Sequence, residues 1–187
     1  AGLHVLRGAY LRARDKDAEA VKAFERALEL HPNYPLALAE LGRAKIEVGL
    51  AHETVGLIKE ALSLSPKEPY GTVWYHWAGM AEAHLGRYQS AKDWLLQARN
   101  ANRSYPNIVP WLAVAHAGLD EWADARAYME EHRKSFPRFS MASWRLAMPQ
   151  RHQDVIPQRR RIEALLRQLG VPEKPPPDDK VQTGLVR

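Results

Sequence analysis

The chain has 187 residues, a formal net charge of +5, 45% hydrophobic residues and no cysteine. Without cysteine it offers neither disulfides nor thiolate metal ligands, and no run reaches the roughly 18 apolar residues of a membrane-spanning helix. We therefore expect a soluble, cytoplasmic protein that makes no membrane contact. The charge is uneven, because residues 1–132 carry 15 basic and 17 acidic side chains whereas residues 133–170 carry 9 and 2.

Apolar residues recur every three to four positions in the first 34 residues, which predicts two helices separated by a turn. Leu3, Leu6 and Tyr10 mark the first helix. The turn is expected at residues 15–17, where the carboxylate of Asp17 can cap the second helix. This part of the chain therefore predicts a helical hairpin.

Residues 35–68 contain two further helix-period segments, separated by Gly49 and closed by Pro66, because proline cannot continue a helix. The apolar stripe of the first segment, helix A, includes Leu38, Leu41 and Val48. The stripe of the second, helix B, comprises Thr54, Val55, Ile58, Ala61 and Leu62. A pair of helices this short cannot bury its apolar surface alone, so the pattern should recur along the chain.

The pattern of helix B does recur, 34 residues earlier and then 37 and a further 34 residues later. Positions that are equivalent in the four repeats form columns. The columns of helix B are Ala20, Thr54, Ala91, Ala125; Phe24, Ile58, Leu95, Met129; and Ala27, Ala61, Ala98, His132. The columns of helix A include Leu38, Tyr75, Val109; and Gly42, Gly79, Ala113. Small and large residues keep their positions in most columns, which indicates structural repeats.

With these columns the chain resembles the tetratricopeptide repeat (TPR) family, whose 34-residue unit is a helical hairpin. The resemblance implies an all-α, right-handed TPR superhelix (an α-solenoid) of about four helix-turn-helix repeats, at about residues 1–34, 35–68, 72–105 and 106–139. Three departures occur late in helix A, where Lys45, Glu82 and His116 replace the usual aromatic residue.

The pattern changes after residue 139. Ser140 can cap a short helix that Pro149 ends, and a last helix is predicted from about Pro157 to Gly170. We expect residues 140–170 to form capping helices that cover the exposed end of the stack. Residues 171–187 contain few apolar side chains and are predicted to be a disordered tail.

We find no motif for catalysis, cofactor binding or metal binding in the sequence. Glycines are isolated helix breakers rather than a phosphate-binding loop, and neither HExxH nor GxSxG occurs. His76 and His84 are eight residues apart, about 12 Å along a helix, too far to share an ion. Most of the six tryptophans, which include Trp122 and Trp144, are expected to pack the joints between repeats.

The basic residues of the last helix form a candidate patch for nucleic acid or anionic lipid, comprising Arg159, Arg160, Arg161 and Arg167. Arg138, Arg145 and Arg151 could extend it. A solvated helix face is the commoner role of such a run, so we consider nucleic-acid binding the less favoured function.

In TPR proteins the exposed stripe of helix A lines a concave groove, and the resemblance places a partner-binding groove there. Its predicted lining residues are His4, Leu11, Arg12, Ala39, Arg43, Ile46, Glu47, His76, Met80, Ala83, His84 and Val114. Gly8, Pro110 and Ala117 fall on the same stripe. This set is small, apolar and mildly basic, and it lacks the lysine and asparagine cluster with which co-chaperone TPRs grip a terminal carboxylate.

The predicted function is that of a non-catalytic interaction module, which binds a peptide or a neighbouring domain in the groove. The alternative is a regulatory or dimerisation module of a bacterial signalling enzyme or transcriptional regulator. It rests on a resemblance of residues 139–173 to the C-terminal TPR region of class III adenylate or guanylate cyclases and winged-helix regulators. We also expect the chain to be a piece of a larger protein, whose N-terminal domain could itself fill the groove. The partner's identity, the oligomeric state and the groove's occupancy stay open.

Overall fold

The computed structural model describes residues 1–147 and 152–177, and this part of the chain contains helices and no strand. The ten α-helices are α1 Gly2–Ala13, α2 Asp17–Leu30, α3 Pro35–Glu47, α4 Ala51–Leu64, α5 Gly71–His84, α6 Tyr88–Ala101, α7 Val109–Ala117, α8 Trp122–Ser135, α9 Met141–Ala147 and α10 Ile156–Gln168. Short 3₁₀ turns, Pro106–Ile108 and Gln153–Val155, precede α7 and α10. Pro149, Arg151 and residues 178–187, on which some of the expectations fall, lie outside the described residues.

The first eight helices form four antiparallel hairpins, α1 with α2, α3 with α4, α5 with α6 and α7 with α8. Each hairpin also packs on the next one, through the contacts of α2 with α3, α4 with α5 and α6 with α7. The first helices of successive hairpins (the A helices) touch one another more extensively than the second helices (the B helices) do. The A helices therefore line the inner, concave side of the stack, and the predicted all-α solenoid is confirmed.

One residue with a left-handed backbone conformation closes each turn from an A helix to a B helix. It is glycine in the second and third hairpins, with φ +88° at Gly49 and +75° at Gly86. In the first and fourth hairpins it is aspartate, with φ 57° at Asp15 and 61° at Asp120. Aspartate is one of the few side chains that tolerates this region. The four turns are thus equivalent in geometry although their sequences differ.

Small residues of the A helices admit large side chains of the B helices. A Cβ atom added at Gly79 of α5 would lie 2.5 Å from Cγ of the fully buried Leu95 in α6 and 3.2 Å from the Ala91 carbonyl oxygen. Gly56 of α4 has no atom within 4 Å of the corresponding position. The glycine at 79 is therefore a packing requirement of the third hairpin, whereas the glycine at 56 is not.

We expect Gly79→Ala to lower the free energy of unfolding by about 1–2 kcal/mol. Overpacking costs typically about 1–3 kcal/mol, and the better helix propensity of alanine returns about 0.5–1 kcal/mol. The matched substitution Gly56→Ala should instead stabilise the chain by about 0.5–1 kcal/mol. Urea unfolding followed by circular dichroism measures both, and equal effects of the two substitutions would contradict the assigned packing.

The three polar residues that replace the aromatic in helix A each lie close to a charged side chain. Lys45 lies 3.1 Å from carboxylate oxygens of both Glu25 in α2 and Glu53 in α4. Glu82 is 3.5 Å from the Arg87 guanidinium, and Nδ1 of His116 is 2.6 Å from the Glu121 carboxylate. Lys45 and Glu82 thus pair with opposite charges, and His116 also packs against the Tyr128 ring at 5.1 Å, so the departures from the repeat pattern leave the architecture intact.

The chain beyond the fourth hairpin folds back onto it. Ser140 caps α9, since its Oγ accepts a hydrogen bond from the Ser143 amide at 3.2 Å. Val171 is 4% exposed, and the carbonyl oxygens of Pro172 and Glu173 accept hydrogen bonds from the amides of Met141 and Ala142. Residues 171–173 thus pair with the start of α9, and the expectation of a tail disordered from residue 171 does not apply to them.

Candidate functional site

Helix α10 lies across the concave face and contacts the A helices α5 and α7. Its buried side chains Ile162 and Leu166 belong to the same hydrophobic cluster as Ile46, Met80 and Val114 of the A helices. These apolar contacts fill the C-terminal section of the groove. We expected α10 to cover the end of the stack, but the structure places it along the inside.

Polar contacts fix α10 to the ends of the A helices. The Arg161 guanidinium donates a hydrogen bond to the His84 carbonyl oxygen at 2.8 Å, and the Gln158 amide approaches the Gly49 carbonyl oxygen at 3.5 Å. On the fourth hairpin, Arg133 donates to the carbonyl oxygens of Leu169 and Gly170 at 3.0 and 2.9 Å. Three A–B hairpins therefore hold the helix in position.

The structure buries most of the predicted groove residues, and a role of these residues in partner binding stays a prediction. Among the predicted lining residues only His4 and Arg12 are partly exposed in the described chain, and the other ten are buried. Leu11 and Ala39 are buried in the joints between repeats. Ile46, Met80, Ala83 and Val114 share the cluster that includes the apolar side of α10. The stripe is thus buried for two reasons, the packing of neighbouring repeats towards its N-terminal end and the contacts of α10 towards its C-terminal end.

A buried charged group lies at the C-terminal end of α3, near the turn of the first hairpin. The side chains of Arg43 and Glu47 pair at 2.7 Å, and each is 9% exposed. Burial and the neighbouring Glu47 carboxylate raise the pKa of Asp17 from 3.8 to about 6. Arg12 pairs with Glu40 at 3.2 Å on the same side. Arg43 therefore pairs with Glu47 within α3, whereas Arg12 of the first hairpin reaches Glu40 of the second.

The predicted basic patch surrounds one buried carboxylate. Glu163 is 6% exposed and accepts two hydrogen bonds from Arg145, at 3.0 and 2.8 Å. Arg159 and Arg167 lie 3.3 and 3.1 Å from the same carboxylate. The hydrogen bonds from Arg145 are the main cause that lowers the pKa of Glu163. Arg161 is engaged with α5, and Arg160 is exposed. Arg159 and Arg167 thus pair within α10, while Arg161 and the contact of Arg145 with Glu163 connect α10 to α5 and α9.

A cavity of about 530 Å³, which we call the aromatic pocket, opens where the groove residues His76 and Pro110 meet the C-terminal end of the fourth hairpin. It lies between α5, α7, the end of α8 and α9. Its lining residues are His76, Asn107, Pro110, Trp111, His132, Ser135, Phe136, Pro137, Arg138, Phe139, Ser143, Trp144 and Ala147. Such a size and an aromatic lining are typical of ligand sites.

Ring contacts give the pocket a rigid wall. The centroids of Trp111 and Trp144 are 4.9 Å apart, and Phe139 packs edge-on against Trp144 at 6.2 Å. The imidazole of His132 lies between Phe136, at 4.8 Å, and Phe139, at 4.5 Å. Interlocked rings of this kind have few alternative rotamers. The shape of the pocket is therefore defined before any ligand enters.

Two histidines of the pocket are buried and have unused nitrogens. His76 is 3% exposed, and neither of its ring nitrogens has a hydrogen-bond partner. Nδ1 of His132, which is 7% exposed, also lacks one. Burial, assisted by the charge of Arg43, lowers the pKa of His76 from 6.5 to about 3, and burial also lowers the pKa of His132. Both imidazoles are therefore neutral at physiological pH.

The sequence predicted His76 and Pro110 on the groove stripe but did not indicate that the other residues form a pocket with them. Most tryptophans were expected in the joints between repeats, and both Trp111 and Trp144 are buried. The missed signal is the cluster of Phe136, Phe139 and Trp144, three large aromatics within nine residues after helix B of the last repeat. The repeat columns of helices A and B end before these residues, so periodicity could not place them.

Within the described residues, one cluster has the spacing of a metal site, formed by His116, Glu121 and Asp124. The ammonium group of Lys92 lies 2.8 Å from the Glu121 carboxylate and supplies the positive charge there. The cluster is thus accounted for as an ion-pair network. No helix in the described part of the chain combines the length and the hydropathy that crossing a bilayer requires.

The fold and the groove define a class of protein, the α-solenoids built from helical hairpins. Residues 1–44 match the family model described as tetratricopeptide repeat. The match covers the first hairpin and most of α3, and the four hairpins of the structure share the architecture of TPR solenoids, so the fold of the chain is that of a TPR solenoid. No curated protein matches the sequence.

Similar solved structures agree with this assignment. A thermophilic TPR protein of Thermus thermophilus is 22% identical with a TM-score of 0.62, over 89% of this chain and 98% of that one. MamA from residue 41 onward, of Desulfovibrio magneticus, is 16% identical with a TM-score of 0.64, over 89% and 95%. PilF of Pseudomonas aeruginosa is 20% identical with a TM-score of 0.63, over 90% and 72%. At these identities the likeness concerns the fold.

Proposed function

We propose that the chain is a non-catalytic protein-interaction module that holds a segment of a partner protein on its concave side. TPR solenoids present a long, pre-formed concave surface, and the repeats of this chain supply one. The proposal of a cyclase-associated or regulator-associated module rests on the narrower sequence resemblance, and it stays a prediction.

The observation that carries the proposal is the aromatic pocket at the open end of the groove. Binding energy at protein interfaces concentrates in a few desolvated aromatic or arginine anchors that fill pockets. A cavity of about 530 Å³ with Trp111 and Trp144 in its wall is suited to receive such an anchor. The partner segment would then continue along the concave side, past the exposed parts of α9 and α10.

The occupied section of the groove supports the same function. Helix α10 presents Ile162, Leu166 and Leu169, at positions i, i+4 and i+7, to the A helices. This is the spacing with which amphipathic helices bind hydrophobic grooves. The binding of an amphipathic helix in a hydrophobic groove thus already occurs within this chain, where α10 fills the C-terminal section of the groove.

A selection of short random linear peptides on the purified chain tests the proposal. We expect enriched peptides to bind, and Ala147→Trp to weaken that binding about tenfold or more by filling the pocket. The matched control is Ala142→Trp, because Ala142 is an equally exposed alanine of α9 that does not line the pocket. The control should change the affinity less than about twofold.

Affinities can be measured by fluorescence polarisation, with circular dichroism to verify the fold of both variants. Failure to enrich any peptide, or equal loss of affinity in the two variants, would refute binding at the open end of the groove. Loss in neither variant would refute it as well.

A further inference from the structure

We propose that the aromatic pocket receives an uncharged aromatic side chain that carries a polar hydrogen, a tryptophan or a tyrosine of the partner protein. This inference rests on the proposed function and names the anchor that the pocket selects. It follows from three features of the pocket: the shape of the wall, the unused imidazole nitrogens and the absence of an acidic side chain in the lining.

The wall favours a flat ring. Trp111, Trp144, Phe139 and Phe136 provide ring faces and edges on several sides of the cavity. Aromatic pairs in offset or edge-to-face arrangement gain energy beyond the area that they bury. Aliphatic side chains would bury apolar area in the pocket but would forgo this gain.

The unused nitrogens favour a ring with a hydrogen-bond donor. A neutral imidazole has one N–H donor and one acceptor nitrogen, and His76 uses neither in the free protein. The last torsion of histidine is soft, so a small rotation of the ring turns a nitrogen towards the cavity that it lines. The indole N–H of tryptophan or the hydroxyl of tyrosine would then satisfy a buried group that is otherwise left unpaired.

The charges of the pocket disfavour a lysine or an arginine anchor. No carboxylate is among the lining residues, and the described lining carries one formal charge, that of the exposed Arg138. A buried cation without a partner is costly. The pocket should therefore reject basic anchors, while phenylalanine should enter without forming the hydrogen bond.

Blocked amino acids test the chemistry on the full chain. The probes are N-acetyl amides of tryptophan, tyrosine, phenylalanine and lysine, titrated into isotope-labelled protein and followed by NMR chemical shifts. For probes of this size we expect dissociation constants of roughly 0.1–1 mM. The tryptophan amide should shift resonances of His76, Trp111 and Trp144, and the phenylalanine amide should bind about fivefold or more weakly. The lysine amide should not bind.

Substitutions at His76 separate the hydrogen bond from ring packing. His76→Phe retains a ring and should weaken the tryptophan amide about fivefold or more, while it leaves the phenylalanine amide unchanged. His76→Gln, which keeps a donor and an acceptor, should retain part of the preference. If neither variant folds, Ala147→Trp and its control Ala142→Trp test the same site, because only the former should abolish binding of the tryptophan amide.

Equal affinity for the tryptophan and phenylalanine amides would overturn the inference, and so would binding of the lysine amide. Tighter binding of indole alone than of a tryptophan within a peptide would assign the pocket to a free small molecule and would also overturn it. Peptides that bind in the pocket but contain neither tryptophan nor tyrosine would refute this inference and leave the proposed function standing. Binding of the tryptophan amide without any enriched peptide would refute the proposed function and leave the pocket's chemistry standing.

Discussion

Replacement of Leu166 by alanine is expected to lower the free energy of unfolding by about 2–5 kcal/mol. Leu166 is fully buried and packs in the cluster that joins α10 to the A helices. Truncation to alanine removes the free energy gained by burying the leucine side chain away from water. It also leaves a cavity that the neighbouring A helices cannot close, because each is held in place by its own hairpin. The loss of stability should be large even though α10 lies close to the end of the described residues.

The matched control is Gln168→Ala, an exposed position of the same helix. It should change stability by less than about 0.5 kcal/mol. Urea unfolding measures both variants. Since repeat arrays can lose cooperativity, hydrogen exchange should be recorded alongside. In Leu166→Ala we expect amide protection to fall in the C-terminal halves of α5 and α7. Unchanged protection there would show that α10 does not cover the groove.

Removal of the α10 contacts should also change what the groove binds. Leu166→Ala weakens the internal occupant without altering the walls formed by Ile46, Met80 and Val114. A partner that competes with α10 for the groove would bind this variant more tightly. The gain would equal the decrease in the free energy with which α10 itself binds the groove. A partner that uses the aromatic pocket alone would not. The same variant thus separates the two sections of the groove.

The sequence predicted the repeats well, because periodicity reports packing within a repeat. The helix B columns anticipate the fully buried Phe24, Ile58, Leu95 and Met129, which all fill the interior of their hairpins. Each hairpin is a local structure of about 34 residues, so its contacts connect residues that are close in sequence. The turns and the helix order follow from the same local information.

The occupancy of the groove could not be predicted in this way. The apolar stripe of α10, with Ile162 and Leu166, is visible in the sequence, but its docking partners are about 50 to 120 residues away. A stripe that can cover a terminal face can equally well cover a concave one. Specific polar contacts distinguish the concave position of α10 from a terminal one. Examples are the hydrogen bonds from Arg161 to the His84 carbonyl oxygen and from Arg133 to the Gly170 carbonyl oxygen. Those contacts emerge only when the chain is folded.

The partners of buried polar residues could not be predicted for a related reason. Lys45 and Glu82 depart from the repeat pattern in the sequence, whereas the structure gives each of them an oppositely charged neighbour. Glu163 occurs in a strongly basic segment and organises it from within, because Arg145, Arg159 and Arg167 converge on its carboxylate. Sequence shows the sign of such charges but not their pairing.

Acidification is expected to destabilise the protein through two buried histidines on the concave side. Burial, with the charge of Arg43, lowers the pKa of His76 from 6.5 to about 3. Burial, with the charges of Arg43 and Arg161, also lowers the pKa of His84 to about 3, against an opposing contribution from Gln158. Both groups therefore bind protons in the unfolded chain at a pH at which the folded chain excludes them.

The sign of the effect follows from this difference. Stability rises with pH wherever the unfolded state binds more protons, so the contribution of each histidine is present above about pH 6.5 and is lost as the pH falls below it. Between about pH 7.5 and pH 5.5 each histidine should lower the free energy of unfolding by about 1.4 kcal/mol, or about 3 kcal/mol together. The raised pKa of Asp17 has the opposite sign, because the folded state takes up its proton near pH 6. It should offset a part of the loss.

Urea unfolding at the two pH values tests this expectation in the wild type and in His76→Phe and His84→Phe. Each substitution removes one titrating group, so the difference between the two pH values should shrink by about 1.4 kcal/mol per variant, whatever the effect on stability itself. Gln168→Ala is the control, because the exposed Gln168 of α10 carries no titrating group and its replacement should leave the difference unchanged. A pH dependence that persists in full in both phenylalanine variants would show that these imidazoles are accessible to protons in the folded chain, and hence that α10 opens readily from the groove.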